Sequence, residues 1–167
     1  NWSDYFDTTD GGSTFNKYAV DKLTVLEAVD DAATVNMGSD WRMPTTDDLW
    51  ELIDNTTVLF IDLDDNEFSV DDAEDAIAEC RLKGIKLTGS NGNSIFIPAA
   101  GSGGNMVGGI SLHDVHTNGN LWSSSLFTED GEEILATNIE FYCDPYVVFD
   151  RSFVSRYNGL PVRGVCN

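Results

Sequence analysis

The run WRMPTTDDLWELI, residues 41–53, constrains the fold of this chain more than any other stretch. Pro44 fixes φ and biases Met43 toward an extended conformation, so a helix can start only beyond it. Thr45 is a good N-cap, and Asp47 and Asp48 fall in the first turn, where carboxylates meet the positive end of the helix dipole. Leu49, Trp50, Leu52 and Ile53 recur at the spacing of one helical face, and Asp54-Asn55-Thr56 ends the segment. The helix buries a Trp-rich stripe. It carries no nucleophile with its base, so it reads as scaffold. The expected core is Trp41, Leu49, Trp50, Leu52, Ile95, Phe96, Trp122 and Val162.

Other local signals surround this helix. Asp30-Asp31 opens a short helix that runs to Met37 and stops at Gly38. Residues 58–61 read as a strand. Ser69-Val70-Asp71-Asp72 looks like a second cap, with Ala73, Ala76, Ile77 and Cys80 on one face of a helix that Gly84 closes. Residues 85–88 and 94–97 flank a loop containing Asn-Gly, a hairpin signal, and Pro98 ends the second strand. From Gly101 to Asn120 the chain is rich in Gly, Ser and Asn without periodicity, which predicts a long loop of the kind that is often functional. Short aromatic or β-branched runs at 121–123, 136–142, 146–149 and 160–165 predict strands. Helices early and strands late make an α+β domain. It spans residues 1–167, with a poorly ordered segment at 1–16 and an acidic helical insertion at 62–83.

The 167 residues are enough to bury a core without a metal or disulfide. Acidic residues number 29 against 9 basic, a formal charge of −20, and they are spread along the chain. That argues against nucleic acid, whose phosphates need clustered Lys and Arg, and against an anionic membrane surface. No apolar run approaches the roughly 20 residues of a membrane span, so membrane insertion is not expected, and a signal sequence, where one exists, has been removed. Cys80, Cys143 and Cys166 allow three alternative single bridges. Free buried cysteines are the expectation, with Cys143–Cys166 the favoured contact in an oxidising compartment.

Reactive constellations are sparse. Asp62-Leu63-Asp64-Asp65-Asn66-Glu67 offers the first ligands of an EF-hand loop, but Glu67 stands where Gly is needed and Ala73 where a bidentate acid is needed. His113 and His116 bracket Asp114 at a spacing compatible with two metal ligands, with no third ligand in view. Ser123-Ser124-Ser125 is not in a Gly-x-Ser-x-Gly elbow, and its hydroxyls are expected to bond to backbone. With 29 acids, paired carboxylates carry no information. No metal or cofactor is expected. The informative feature is the late mixture of aromatic and polar residues, which includes Phe149, Phe153 and Arg156. Phe127, Tyr142, Asp144, Tyr146, Arg151 and Tyr157 are the candidate ligand-binding residues within it, because exposed Tyr and Arg favour recognition surfaces. Strand alternation sends about half of such residues to the core instead.

In their order, DDAATVNMGSDWRMPTTDDLWELI, LTGSNGNSIFIPAAG, LWSSS and NGLPVRGV resemble the C-type lectin-like modules of Bacteroidetes surface and secreted proteins. These belong to the Fibrobacter succinogenes major paralogous domain group and are related to the variable proteins of diversity-generating retroelements. The resemblance implies a C-type lectin-like fold, with two to three helices packed on small antiparallel sheets. It also implies a secreted or cell-surface ligand-recognition module that is monomeric as a domain and not an enzyme. Its partner would be a host or bacterial surface protein or a glycan, met by the late aromatic loops. The Glu-Pro-Asn and Trp-Asn-Asp motifs of calcium-dependent lectins are absent from the sequence. Two rival readings are an oxidative enzyme of the formylglycine-generating type, which needs copper and reactive cysteines, and a structural pilus or spacer domain.

Overall fold

The computed structural model describes residues 17–18, 23–69, 81–106, 109–127, 135–143, 147–156 and 158–166. Helix α1 (Ala32–Met37) is followed by strand β1 (Trp41–Arg42), helix α2 (Thr46–Asp54), and strands β2 (Thr56–Asp62) and β3 (Glu67–Phe68). Then come β4 (Leu82–Gly89), β5 (Ser94–Pro98), β6 (Ser102–Met106), β7 (Gly109–His113), β8 (Asn118–Leu126), β9 (Leu135–Cys143), β10 (Val147–Ser155) and β11 (Val165–Cys166). All the strand pairs are antiparallel. A four-stranded sheet runs β3-β2-β4-β5 and a three-stranded sheet β10-β9-β8; β6 pairs with β7 and β1 with β11.

Both early helices form where their caps stand. Thr45 and Asp48 make a reciprocal capping box at the start of α2, and Arg42 reaches the same carboxylate, with Nη1 2.5 Å from Asp48 Oδ2. Asp31 caps α1 by accepting the Ala33 and Thr34 N–H groups at 2.9 Å and also accepts Met43 N–H at 2.8 Å, so one buried carboxylate ties α1 to the approach of α2. The core lies between the two larger sheets, with α2 laid across it. Leu49 packs in one cluster with Phe60, Leu82, Ile85 and Leu87 of the four-stranded sheet and with Leu121, Ile139 and Phe141 of the three-stranded sheet.

The expectation of an α+β, C-type lectin-like fold with two to three helices is overturned. Among the described residues strand accounts for 52% and helix for 13%, and the chain builds several small antiparallel sheets with two short helices. Of the helix expected between Ser69 and its stop at Gly84, residues 70–80 lie outside the described residues, as does the N-terminal segment 1–16, while 82–84 are not helix but the start of β4. Where the acidic insertion is described it is extended, since β3 folds back on β2. The loop expected between Gly101 and Asn120 is largely strand: β6 and β7 pair from Ser102↔His113 to Met106↔Gly109. Backbone pairing holds this hairpin: β6, SGGNM, has no apolar alternation, and Leu112 of the alternating β7, GISLH, is exposed. Gly101 at its start has φ +68, and a Cβ there would lie 1.9 Å from the His113 carbonyl oxygen.

The expected core is corrected at two positions. Leu49 is buried and Trp41, Trp50, Leu52, Ile95 and Trp122 are half-buried, but Phe96 and Val162 are exposed. Phe96 alternates with Ile97 on β5, and Ile97 takes the core side. The cysteine expectation is also corrected. Cys143 is buried and disulfide-bonded, whereas Cys166 is an exposed free thiol, so the two are not joined to each other; Cys80 lies outside the described residues.

Candidate recognition cleft

The register of β9 and β10 positions the site. It runs without a break from Val147↔Cys143 to Ser155↔Leu135, so residues 137, 139, 141 and 143 share a sheet face with 147, 149, 151 and 153. At the Cys143 end that face is core: Ile139, Phe141, Cys143 and Val147 are buried. Toward the other end Arg151 and Phe153 are exposed beside α2: Arg151 meets Trp50 and Asp54, and Thr137, the cross-strand partner of Phe153, meets Thr46. The space left between helix and sheet is a cleft of about 360 Å³, lined by Thr46, Trp50, Leu126, Phe127, Thr137, Arg151, Ser152 and Phe153.

The wall of this cleft is aromatic. Phe127, just beyond β8, stacks on Phe153 with ring centroids 4.2 Å apart and planes 15° from parallel, and Phe153 remains 50% exposed. The Arg151 guanidinium lies over the Trp50 indole, 4.9 Å from its centroid, while Nη2 sits 2.5 Å from Asp54 Oδ1. Trp50 and Asp54 are four residues apart on α2 and therefore neighbours on its surface. One arginine thus bridges the helix and the sheet edge. At the floor the Thr46 and Thr137 hydroxyls are 2.7 Å apart, Thr137 Oγ1 donates to the Ser125 carbonyl at 3.2 Å, and Thr46 N–H donates to Ser125 Oγ at 3.1 Å. This network anchors the start of α2 to the three-stranded sheet.

Of the six candidate residues read from the sequence, Phe127 and Arg151 meet in this cleft. Tyr142 does not join them. It is cross-strand to Val148 and Asn118, and its odd offset from Ile139 sends it to the opposite face of the sheet. Asp144, Tyr146 and Tyr157 lie outside the described residues. Trp50, read as scaffold, and Phe153 are lining residues the candidate set lacked. The period of two from Arg151 was the signal for Phe153; nothing in the sequence pointed Trp50 toward β10. Phe149 packs against the core, and Arg156 donates to the backbone carbonyls of Lys17 and Tyr18 at 3.0 and 3.4 Å.

The other motifs have structural partners. Asp62 closes the β2–β3 turn by accepting Asp64 N–H at 2.8 Å, Asn66 N–H at 2.9 Å and Asn66 Nδ2 at 2.7 Å. Those bonds, the Asn66 side chain first, hold its carboxyl below the usual carboxylate range. His113 Nε2 meets Ser111 Oγ at 2.7 Å, whereas His116 Nδ1 meets the Leu82 carbonyl at 3.2 Å. Among the described residues no group of three or more His, Cys, Asp or Glu is placed to hold a metal ion. The serines after Trp122 bond to backbone as expected: Ser123 Oγ donates to the Ser125 carbonyl and Ser124 Oγ to that of Pro44, both at 3.2 Å.

Comparison with family models, with curated proteins and with solved structures finds no match to this chain.

Proposed function

We propose that this protein is a non-enzymatic recognition module of a secreted or surface-anchored bacterial protein, and that it binds a surface protein or glycan in the cleft between α2 and β10. One observation carries the reading: Phe127, Phe153, Trp50 and Arg151, from three separate elements, converge on one concave site. Ligand sites are typically concave and aromatic-lined, with a few fixed polar groups, and Trp and Arg are enriched where binding energy concentrates. The disulfide at Cys143 supports an extracellular or periplasmic setting, since such bonds persist where the compartment is oxidising. No described helix is long and apolar enough to cross a membrane.

The test is a binding screen against surface glycans and surface proteins, run with and without chelator. Wild type is compared with a double variant carrying Arg151→Ala and Phe153→Ala. The reading expects binding that survives the chelator and is lost in the double variant at an unchanged melting temperature. Equal binding by the two proteins would remove the cleft from consideration.

A further inference from the structure

We propose that the cleft takes a neutral saccharide, with a pyranose ring seated on the Phe127–Phe153 stack and its hydroxyls held by the Arg151–Asp54 pair. The inference rests on the recognition reading above and specifies the ligand's chemistry. Three observations lead to it.

The first is shape. A cleft of about 360 Å³ falls at the low end of small-ligand sites, roughly 300–1,000 Å³, whereas a stable protein partner covers about 800 Å² of a surface. A short oligosaccharide fits the concavity that a folded partner would bridge.

The second is the matching of groups. A pyranose has an apolar C–H face and a rim of hydroxyls, each of which both donates and accepts. Phe153 is half-exposed within its stack with Phe127 and supplies a flat apolar surface for that face. Arg151 only donates and ionised Asp54 only accepts. Asp54 stands beside the cleft rather than in its lining; held 2.5 Å from Arg151, it sets an acceptor next to the arginine's donors at the cleft's rim, and among the described residues no other acceptor takes the guanidinium N–H groups. The Thr46 and Thr137 hydroxyls bond to each other and hold the floor in place, so little order is left to impose on binding.

The third is charge. Asp54 already balances Arg151, and the whole chain carries −20, so a phosphate, uronate or sulfate entering here meets a repulsive field. A neutral ligand meets no such penalty.

The experiment uses the full 167-residue chain on an array holding neutral hexose, pentose and N-acetylhexosamine oligosaccharides beside uronate- and sulfate-bearing ones. Titration calorimetry then follows with the neutral oligosaccharide that gives the strongest signal. Phe153→Ala removes the exposed ring, and Arg151→Lys keeps the charge while losing the planar fork. The inference expects neutral sugars to bind, and each variant to weaken Kd by about tenfold or more while the melting temperature stays within about 2 °C of wild type. Binding confined to acidic saccharides overturns it, as does full affinity in both variants. A folded protein that binds no saccharide also overturns it. If that protein binds a surface protein and loses it with Arg151→Ala and Phe153→Ala together, the recognition reading stands without the sugar; if neither ligand class depends on the cleft, both fall.

Discussion

The Arg151 guanidinium lies 4.9 Å from the centre of the Trp50 indole, and this contact joins the edge strand of the three-stranded sheet to the helix that crosses it. The two residues answer differently to truncation. Arg151 is exposed and its ion pair with Asp54 is exposed too, so Arg151→Ala should cost less than about 1 kcal/mol of stability. Trp50 is half-buried and packs against the core cluster, so Trp50→Ala should cost about 1–3 kcal/mol, below the ~3–5 kcal/mol of a fully buried aromatic. Urea midpoints at constant m-value check both; equal losses would mean that the arginine is a structural clamp.

Acid should unfasten the start of α2. The Arg42 guanidinium holds the Asp48 carboxyl well below the usual carboxylate range, against some desolvation, and the Thr45 N–H and hydroxyl pull the same way. A carboxyl with a lowered folded-state pKa stabilises fully above its unfolded value, near ~3.9, and this contribution is lost as pH falls from there toward the folded value. Asp48→Asn should therefore be less stable than wild type at neutral pH, and the gap should close as the pH falls below ~4. Thr45→Ala should cost about 1 kcal/mol through the lost cap. Denaturation at a series of pH values tests the sign. A gap that widened on acidification would refute the assignment.

Gly119 and Phe141 are cross-strand partners on β8 and β9, and a Cβ at Gly119 would come within 1.9 Å of the buried Phe141 ring. Gly119→Ala should cost about 1–3 kcal/mol, because the ring has no room to retreat in a filled core. Thermal melting of the variant provides the measurement. A neutral result would show that Phe141 can reorient.

Asp31 is 4% exposed and accepts three backbone N–H groups from two segments. Asp31→Ala leaves those donors buried without a partner and should cost about 2–4 kcal/mol, with Asp31→Asn recovering part of the loss. Chemical denaturation of the pair would tell capping from simple packing, since an equal loss in both variants would point away from the accepted hydrogen bonds.

Legibility followed how local each signal was. Caps, helix starts and the Asn-Gly hairpin act over a few residues, and α1, α2 and β5 stand where those signals put them, while β4 starts at Leu82, inside the helix expected to run to Gly84. The β6–β7 hairpin was not legible, because β6 is Gly-rich without apolar alternation and β7 alternates over only Ile110 and Leu112, so the pair is held mainly by backbone bonds. The fold class failed because the two helices are short, 6 and 9 residues, while β2, β4, β8, β9 and β10 run 7 to 9 residues each. Two of the four aromatic and arginine residues of the cleft were legible: Phe127 and Arg151 stood out as an aromatic and a cation in a late, strand-rich region. Tyr142 was misplaced because which face it takes depends on the β9–β10 register. Trp50 was hidden because a helix stripe reads as core, and only the fold brings Arg151 and Phe153 beside it.

The central claim is that ligand enters between α2 and β10, and backbone chemical-shift mapping tests it most directly. Isotope-labelled protein would be titrated with the neutral oligosaccharide that binds most strongly on the array. The account predicts that the perturbed amides cluster at Thr46, Trp50, Phe127, Thr137, Arg151 and Phe153, which line the cleft. Saturable shifts confined to the opposite face of the sheet, at Tyr142 and its neighbours Val148 and Asn118, would contradict it.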